Sequence, residues 1–364
     1  MQKKALIRFL DDCVGQGWFP GAVALVSERG EVRLRSACGD AVTSPERIRM
    51  REDTIFDVAS LTKPVVTSLL VRILDRERQL SVENPVAEYL PQFRRPDKEK
   101  ITVLDCLDHS AGFRPWMPLY LFASSLDEYL SRIADEPLAV ATRSQSLYSC
   151  LDYIILGGVI RAVTGRGVGT SARVRLFEPL KLDDSYFPLP AALQRRSAAT
   201  ERGDRFEKKM AREFVEGPLR WPWEDEVIWG TVHDGNARRL GEEAGNSGLF
   251  TTADDLHTLA RESFAPVGGI LAGGRPARGK EGPGAGGTAR FAAGWERNTG
   301  ALTSAGPALP GGALGHTGFT GTSLWVDPVR ERIYILLTNR VHPECREMNM
   351  NEIRRKFHAL AAEI

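Results

Sequence analysis

Two apolar periodicities, and where each falls along the chain, constrain this sequence most. Alternation of period two, the mark of a half-buried strand, appears near both ends. Residues 22–27 and 31–36 read as a β-hairpin about a turn at Arg29-Gly30, and residues 322–326 and 332–337 as two further strands, preceded by one over 290–297. Between them the pattern is helical. Residues 61–76 place Val66, Leu69, Leu70, Ile73 and Leu74 on one stripe, and 151–163 is apolar on most faces. Residues 101–163 as a whole are helical text with Gly and Pro breaks, and 191–225 reads as loop with a short helix or two. Helices are also expected over 6–14, 253–262 (capped near Thr252) and 351–362. This order, helix and strands, then helices, then strands and a helix, fits a sheet made of both chain ends. The expected class is therefore α+β: an antiparallel sheet flanked by helices, with 1–64 and 230–364 forming the sheet domain and 65–229 a mainly helical inserted region.

Several function classes are excluded early. The charge sum is +1, so nothing global draws the chain to nucleic acid or an anionic membrane, and no apolar run approaches the eighteen residues of a membrane span. The five cysteines are scattered with no C-x-x-C, which suggests neither a disulfide framework nor a zinc site; no metal or other cofactor is expected. The N-terminus reads as an amphipathic helix rather than a signal peptide, which points to a cytoplasmic protein unless a leader has been removed. Glycine is abundant, 35 residues, nine of them between 268 and 287; that stretch reads as a long surface loop. Gly311, Gly312, Gly315, Gly318 and Gly321 read differently, as a place where backbone approaches substrate closely. The sequence carries no sign of oligomeric state.

Three short segments carry candidate chemistry. In Asp57-Val-Ala-Ser60-Leu-Thr-Lys63 the serine opens a helix and the lysine follows one turn later on the same side. A hydroxyl at a helix N-terminus faces free backbone N–H groups, and a lysine beside it can accept its proton if burial lowers the lysine pKa. The alternative is an N-cap serine beside a surface lysine. Tyr148-Ser149-Cys150 precedes the buried helix, and Gly315-His316-Thr317-Gly318 opens a strand pair; each alone is ordinary packing text.

Taken together and in this order, Ser60-x-x-Lys63, Tyr148-Ser149-Cys150 and His316-Thr317-Gly318 resemble the serine β-lactamase and penicillin-binding-protein superfamily, nearest its class C β-lactamase and family VIII carboxylesterase branch. Residues 105–113 (DCLDHSAGF), 176–187 and 245–256 add to the likeness, which spans roughly 21–339. The resemblance implies a β-lactamase-like fold with its active site in the cleft between sheet and helical region. It further implies acyl transfer with Ser60 as nucleophile and Lys63 and Tyr148 sharing the base role. The backbone N–H groups of Ser60 and Phe319 would form the oxyanion hole, and Cys150, His316, Thr317 and Gly318 would contact substrate.

Two residues depart from the family pattern. Cys150 stands where lactamases and DD-peptidases carry asparagine, and a thiol is a weak donor and weak acceptor. His316 stands where they carry lysine, and histidine lacks the permanent charge that meets a substrate carboxylate. Both shift the expectation from lactam or peptide towards neutral esters. The leading reading is thus a serine carboxylesterase on small or short-chain esters. The alternatives are a β-lactamase or DD-peptidase/D-amino-acid amidase, so that the substrate is a small ester, amide or lactam, and a catalytically silent binding or scaffold protein. Other residues read as structural. His233-Asp234 is a loop or strand-end contact rather than a metal pair, and 221–229 (WPWEDEVIW) is packing, with an acyl-pocket wall as its alternative. Residues 94–100 form a solvated charged turn, and Asn339 and Arg340 follow the last strand, with the cleft rim as a lesser option.

Overall fold

A computed structural model describes residues 1–264, 290–300 and 303–364. Ten strands follow in chain order: β1 (Gly21–Glu28), β2 (Glu31–Val42), β3 (Ile48–Arg49), β4 (Phe56–Asp57), β5 (Phe250–Thr251), β6 (Phe291–Ala292), β7 (Trp295–Arg297), β8 (Leu314–Thr317), β9 (Ser323–Asp327) and β10 (Arg332–Thr338). Eight form one antiparallel sheet in the order β3-β2-β1-β10-β9-β8-β7-β6, and β4 and β5 pair separately. The strands from the two chain ends do share one sheet, through β1 against β10 from Ala22↔Thr338 to Glu28↔Arg332.

Both faces of this sheet are covered, and the strand period explains how. Val23 and Leu25 of β1 and Ile333, Ile335 and Leu337 of β10 enter the larger core, together with Leu69, Leu70 and Leu74 of the helix Ser68–Arg76 and Leu256 and Leu259 of Ala253–Phe264. Their alternating neighbours Ala22, Ala24, Val26, Tyr334 and Leu336 enter a second core with Leu6 and Leu10 of the helix Gln2–Gly15 and Ile353 and Phe357 of Met350–Ala361. The first turn of the hairpin is built as expected: Arg29 and Gly30 both have positive φ, the geometry that matches strand twist in a two-residue turn.

The strand expected over 290–297 is instead the hairpin β6–β7. Ala293 (φ 49°) and Gly294 (φ 84°) reverse the chain, and Ala293 N donates to Asp108 Oδ1 at 2.7 Å. The glycine-rich stretch 268–287 lies outside the described residues. Among the described residues no helix is long and apolar enough to cross a membrane. The charged turn 94–100 is not wholly solvated, because Lys98 is buried beside Asp97.

The helix Cys150–Thr164 is buried continuously from Cys150 to Ile160, and Gly157 in the helix and Gly245 in the facing chain let residues 243–245 lie against it. A Cβ on Gly245 would sit 2.1 Å from Tyr153 O, with no flexible side chain to give way. Gly245→Ala should therefore lower stability by about 1–3 kcal/mol, the usual cost of overpacking, measured as the midpoint of denaturant unfolding. An unchanged midpoint would show that the two segments separate freely.

Candidate active site

Ser60 sits in a 3-10 turn, Ala59–Leu61, that leads through a wider turn at Lys63–Thr67 into the helix Ser68–Arg76. Its turn is set by Asp57. Asp57 Oδ1 accepts from Ala59 N at 2.9 Å and Oδ2 from His233 N at 2.8 Å, while Ala59 is held at φ 48°, a left-handed conformation unusual for a residue with a Cβ. Burial pushes the Asp57 carboxyl up, and these two N–H donors pull it back down.

Lys63 is fully buried, with Nζ 2.9 Å from Ser60 Oγ, 2.8 Å from Asn246 O and 3.4 Å from Cys150 Sγ. The Tyr148 ring lies 5.2 Å from Nζ. The phenol is held well above its ordinary pKa, chiefly by burial, while the Ser60 hydroxyl favours its ionised form. Cys150 Sγ is 4.0 Å from Tyr148 Oη, the outer limit of a sulfur contact, and burial raises its thiol. The sequence-nominated Ser60, Lys63, Tyr148 and Cys150 therefore converge.

The third segment is stitched to the first. Thr320 Oγ1 donates to Asp57 O (2.8 Å) and Thr322 Oγ1 to Val58 O (3.0 Å). On its far side Arg354 Nη2 donates to Gly318 O (3.1 Å) and Thr322 O (3.0 Å), and Arg340 Nε to Phe319 O (2.9 Å). In a trans peptide C=O and N–H point opposite ways, so with Gly318 O turned to Arg354 the Phe319 N–H points away from it. Strand β8 is third from the sheet's end rather than its edge, because β6 and β7 lie outside it. Yet β7 stops opposite Gly315, so His316 and Thr317 pair only with β9 and keep one side free. The glycines here serve packing more than substrate approach. A Cβ would meet the Trp325 ring at Gly315, Val58 O and Thr322 at Gly318, and Thr338 at Gly321 (φ 111°), whereas Gly312 has open space.

His316 is neutral: burial and the neighbouring Lys63 hold it down to about 3. Its Nδ1 lies 2.9 Å from Thr317 O, a carbonyl that can only accept, so Nδ1 carries the proton.

Behind Tyr148 lies a buried pair not anticipated from sequence. His109 packs on Tyr148 (4.8 Å between centroids), Tyr153 (5.1 Å) and Phe291 (4.8 Å). His109 Nδ1 accepts from Ser149 N at 3.2 Å and lies 2.9 Å from Asp152 Oδ2. A ring nitrogen that accepts from Ser149 has no proton for Asp152, so Asp152 supplies it as a neutral acid. Burial drives both the same way, the Asp152 carboxyl up and the His109 imidazole down. The signal available in the sequence was an acid in the first turn of an otherwise apolar helix.

Of these groups Ser60, Tyr148, Cys150, His316, Thr317 and Gly318 open on one cleft of about 650 Å³, with Lys63 and the His109–Asp152 pair behind them. Its walls also include Trp116, Phe206, Glu207, Phe291, Phe319, Arg340 and Arg354. Two readings change, those of His233-Asp234 and of Arg340. His233 and Asp234 line the cleft, His233 with Nε2 3.2 Å from Glu201; they are more than a loop contact. Among the described residues no group of three or more His, Cys, Asp or Glu is placed to hold a metal. Trp221 and Trp223 pack on Tyr120 and do not line the cleft. Arg340 reaches the cleft, whereas Asn339 is structural, bonding Gly21 N, Asp40 O and Ala41 O. Arg354 had no sequence signal, because its partners are backbone carbonyls.

Comparison with known proteins places these features in context. The sequence profile of the Beta-lactamase family matches residues 6–357. An N-acetylmuramyl-L-alanine amidase of Bacillus subtilis is 29% identical over 89% of this chain and 78% of its own. A Salmonella gallinarum protein with the provisional name D-alanyl-D-alanine carboxypeptidase is 28% identical over 89% and 79%. Among solved structures, EstCE1, a hydrolase with promiscuous acyltransferase activity, superposes with a TM-score of 0.74 over 98% of each chain at 21% identity, a likeness of fold.

Two predictions follow from the buried groups. Asp152→Asn keeps a donor for His109 and should retain stability, whereas Asp152→Ala should lose about 1–3 kcal/mol, read by thermal melting. Equal damage by both would show that the carboxylate is ionised. Below pH 6.5 the unfolded chain binds a proton at His316 that the folded chain refuses, so stability falls with pH by about 1.4 kcal/mol per unit from this group. His316→Gln should flatten that slope in urea titrations between pH 4 and 6.5.

Proposed function

This chain belongs to the beta-lactamase family and is a serine hydrolase of the β-lactamase and penicillin-binding-protein superfamily, and we propose that within it the protein is a carboxylesterase for small or short-chain esters, working through an acyl-enzyme on Ser60. The observation that carries the reading is the contact of Lys63 Nζ with Ser60 Oγ and Cys150 Sγ. It supplies a base at the nucleophile and, in Cys150, a poor partner for an amide carbonyl.

The steps balance as follows. Ser60 Oγ attacks the ester carbonyl and its proton passes to the amine form of Lys63. The oxyanion is received by the N–H groups of Ser60 and Phe319. Tyr148, held protonated by burial, gives its proton to the leaving alkoxide as the C–O bond breaks and regains one from Lys63. Water then attacks the acyl carbon and loses a proton to the same pair, which returns a proton to Ser60 Oγ as the bond between Oγ and the acyl carbon breaks and the acid leaves. Neutral His316 and Thr317 line the path without adding charge.

A second reading, a β-lactamase or DD-peptidase/amidase, draws support from Arg340 and Arg354. These cations line the cleft and can face a substrate carboxylate although the family's lysine is absent. The amidase and carboxypeptidase relatives point the same way.

Hydrolysis of p-nitrophenyl butyrate is expected, reduced roughly a thousandfold or more in Ser60→Ala. Equal rates in the two proteins would overturn the reading. On nitrocefin the wild type should be slow and Cys150→Asn faster, since an amide restores both a donor and an acceptor. Nitrocefin turnover outpacing ester turnover in the wild type would favour the second reading.

A further inference from the structure

Arg354, in the helix Met350–Ala361, is a buried cation with no anion against it. Its hydrogen bonds go to neutral oxygens. Nη2 donates to Gly318 O (3.1 Å) and Thr322 O (3.0 Å), and Nη1 donates to Asn351 Oδ1 (2.9 Å). Among the described residues no carboxylate lies within ion-pair distance of the guanidinium; Glu296 acts on it only from farther off. Burial and the like charge of Arg340 hold it down to about 9, so it keeps its proton at neutral pH. An uncompensated charge in a core is expensive. Neutral donors can tie this turn, as the hydroxyls of Thr320 and Thr322 do on its other side. Bracing the turn therefore does not account for a charge at this position.

The carbonyl that Arg354 holds belongs to the peptide between Gly318 and Phe319. Gly318 O also accepts from Gly321 N at 3.1 Å, so both of its lone pairs are engaged. At the other end of the same peptide, Phe319 N donates to no group among the described residues. Resonance couples the two ends. Electron density drawn onto the oxygen leaves the N–H more positive and a stronger donor. A cation bonded to the oxygen draws more than a neutral donor does.

We propose that Arg354 is a positioning residue for the oxyanion hole: it orients and polarises the Gly318–Phe319 peptide, so that Phe319 N–H donates more strongly to the oxyanion formed when Ser60 attacks. In this role Arg354 touches neither substrate nor nucleophile and acts through the peptide. A ground-state ester carbonyl carries little charge and gains little from a stronger donor. The oxyanion carries a full charge and gains most, so the effect falls on kcat more than on KM. This assignment rests on the acyl-enzyme reading of the cleft and deepens it by adding a residue that assists the reaction.

Steady-state kinetics on p-nitrophenyl butyrate test it. That ester has no carboxylate, so a direct contact between Arg354 and a substrate anion does not enter. Arg354→Gln keeps an amide donor but no charge; it should lower kcat roughly tenfold or more while KM moves less than about twofold. Arg354→Lys keeps the charge and should recover most of that loss. Lys356→Gln, exposed on the same helix, removes a charge elsewhere and should change neither constant. Asn351→Asp separates polarisation from bracing. It sets a carboxylate against Nη1, which strengthens the arginine's hold and cancels its field, and an acid suits the first turn of a helix. Thermal melting should not fall, yet kcat should drop about threefold or more, and the drop should vanish in the Arg354→Gln background. A kcat unchanged or raised in Asn351→Asp, or equal in Arg354→Gln and Arg354→Lys, would overturn the proposal. Should Arg354→Gln not fold, Asn351→Asp against wild type still decides. Fluorophosphonate labelling of Ser60 in the wild type reports separately on the acyl-enzyme reading. Absence of labelling sinks that reading, whereas labelling with a kcat indifferent to the charge at Arg354 sinks this inference alone.

Discussion

Seven antiparallel residue pairs between β1 and β10 join segments more than three hundred residues apart, and the rest of the molecule depends on them. They make one sheet from two chain ends, and that sheet has two apolar faces because Val23 and Leu25 alternate with Ala22, Ala24 and Val26. Each face needs a cover. The terminal helices take one, and the helices from the middle of the chain take the other. Beyond β10 the register carries through β9 to β8, which brings the Gly318 turn against the backbone of Asp57 and Val58. Pairing of this non-local kind sets where Ser60 and Phe319 stand relative to each other.

The cleft formed there is held by polar groups that are buried and mostly satisfied. Lys63 has three acceptors, Asp57 two N–H donors, and the Gly318 turn is gripped from one side by threonine hydroxyls and from the other by arginines. Several groups avoid charge altogether. His316 and His109 are neutral imidazoles and Asp152 is a neutral acid, each a consequence of burial without a compensating ion. Glu207, Asp234, Arg340 and Arg354 also line the cleft, so both acidic and basic side chains border it.

Much of this was legible before any coordinates. Helix and strand positions followed from apolar spacing, since burial on one face leaves a periodic trace. Ser60, Lys63, Tyr148 and His316 were nominated by three short segments taken together, and the structure brings them together: Ser60, Tyr148 and His316 on the cleft and Lys63 behind Ser60. The errors have identifiable causes. The β6–β7 reversal turns on Ala293 at positive φ, which an alanine does not announce. Gly315 and Gly318 were read as making room for substrate, but the room is taken by Trp325, Val58 and Thr322. Glu207 and Arg354 carried no interpretable pattern, because their partners are distant in sequence or are backbone atoms, and the one signal of the His109–Asp152 pair was an acid in the first turn of an apolar helix.

By itself, then, the sequence determined the class of the fold, the order of most of its elements and the side chains that gather around Ser60, because periodicity and short motifs are local properties. Tertiary structure alone decided the charge states and the shape of the cleft. Whether a carboxyl ionises depends on what surrounds it in three dimensions, so Asp152 became a neutral acid in the core. Glu207 has Oε1 held by Gly235 N, twenty-eight residues on, and burial and Asp234 push its carboxyl up to about 7. No spacing along the chain encodes those encounters; they arise where the sheet and the helical layer close on each other.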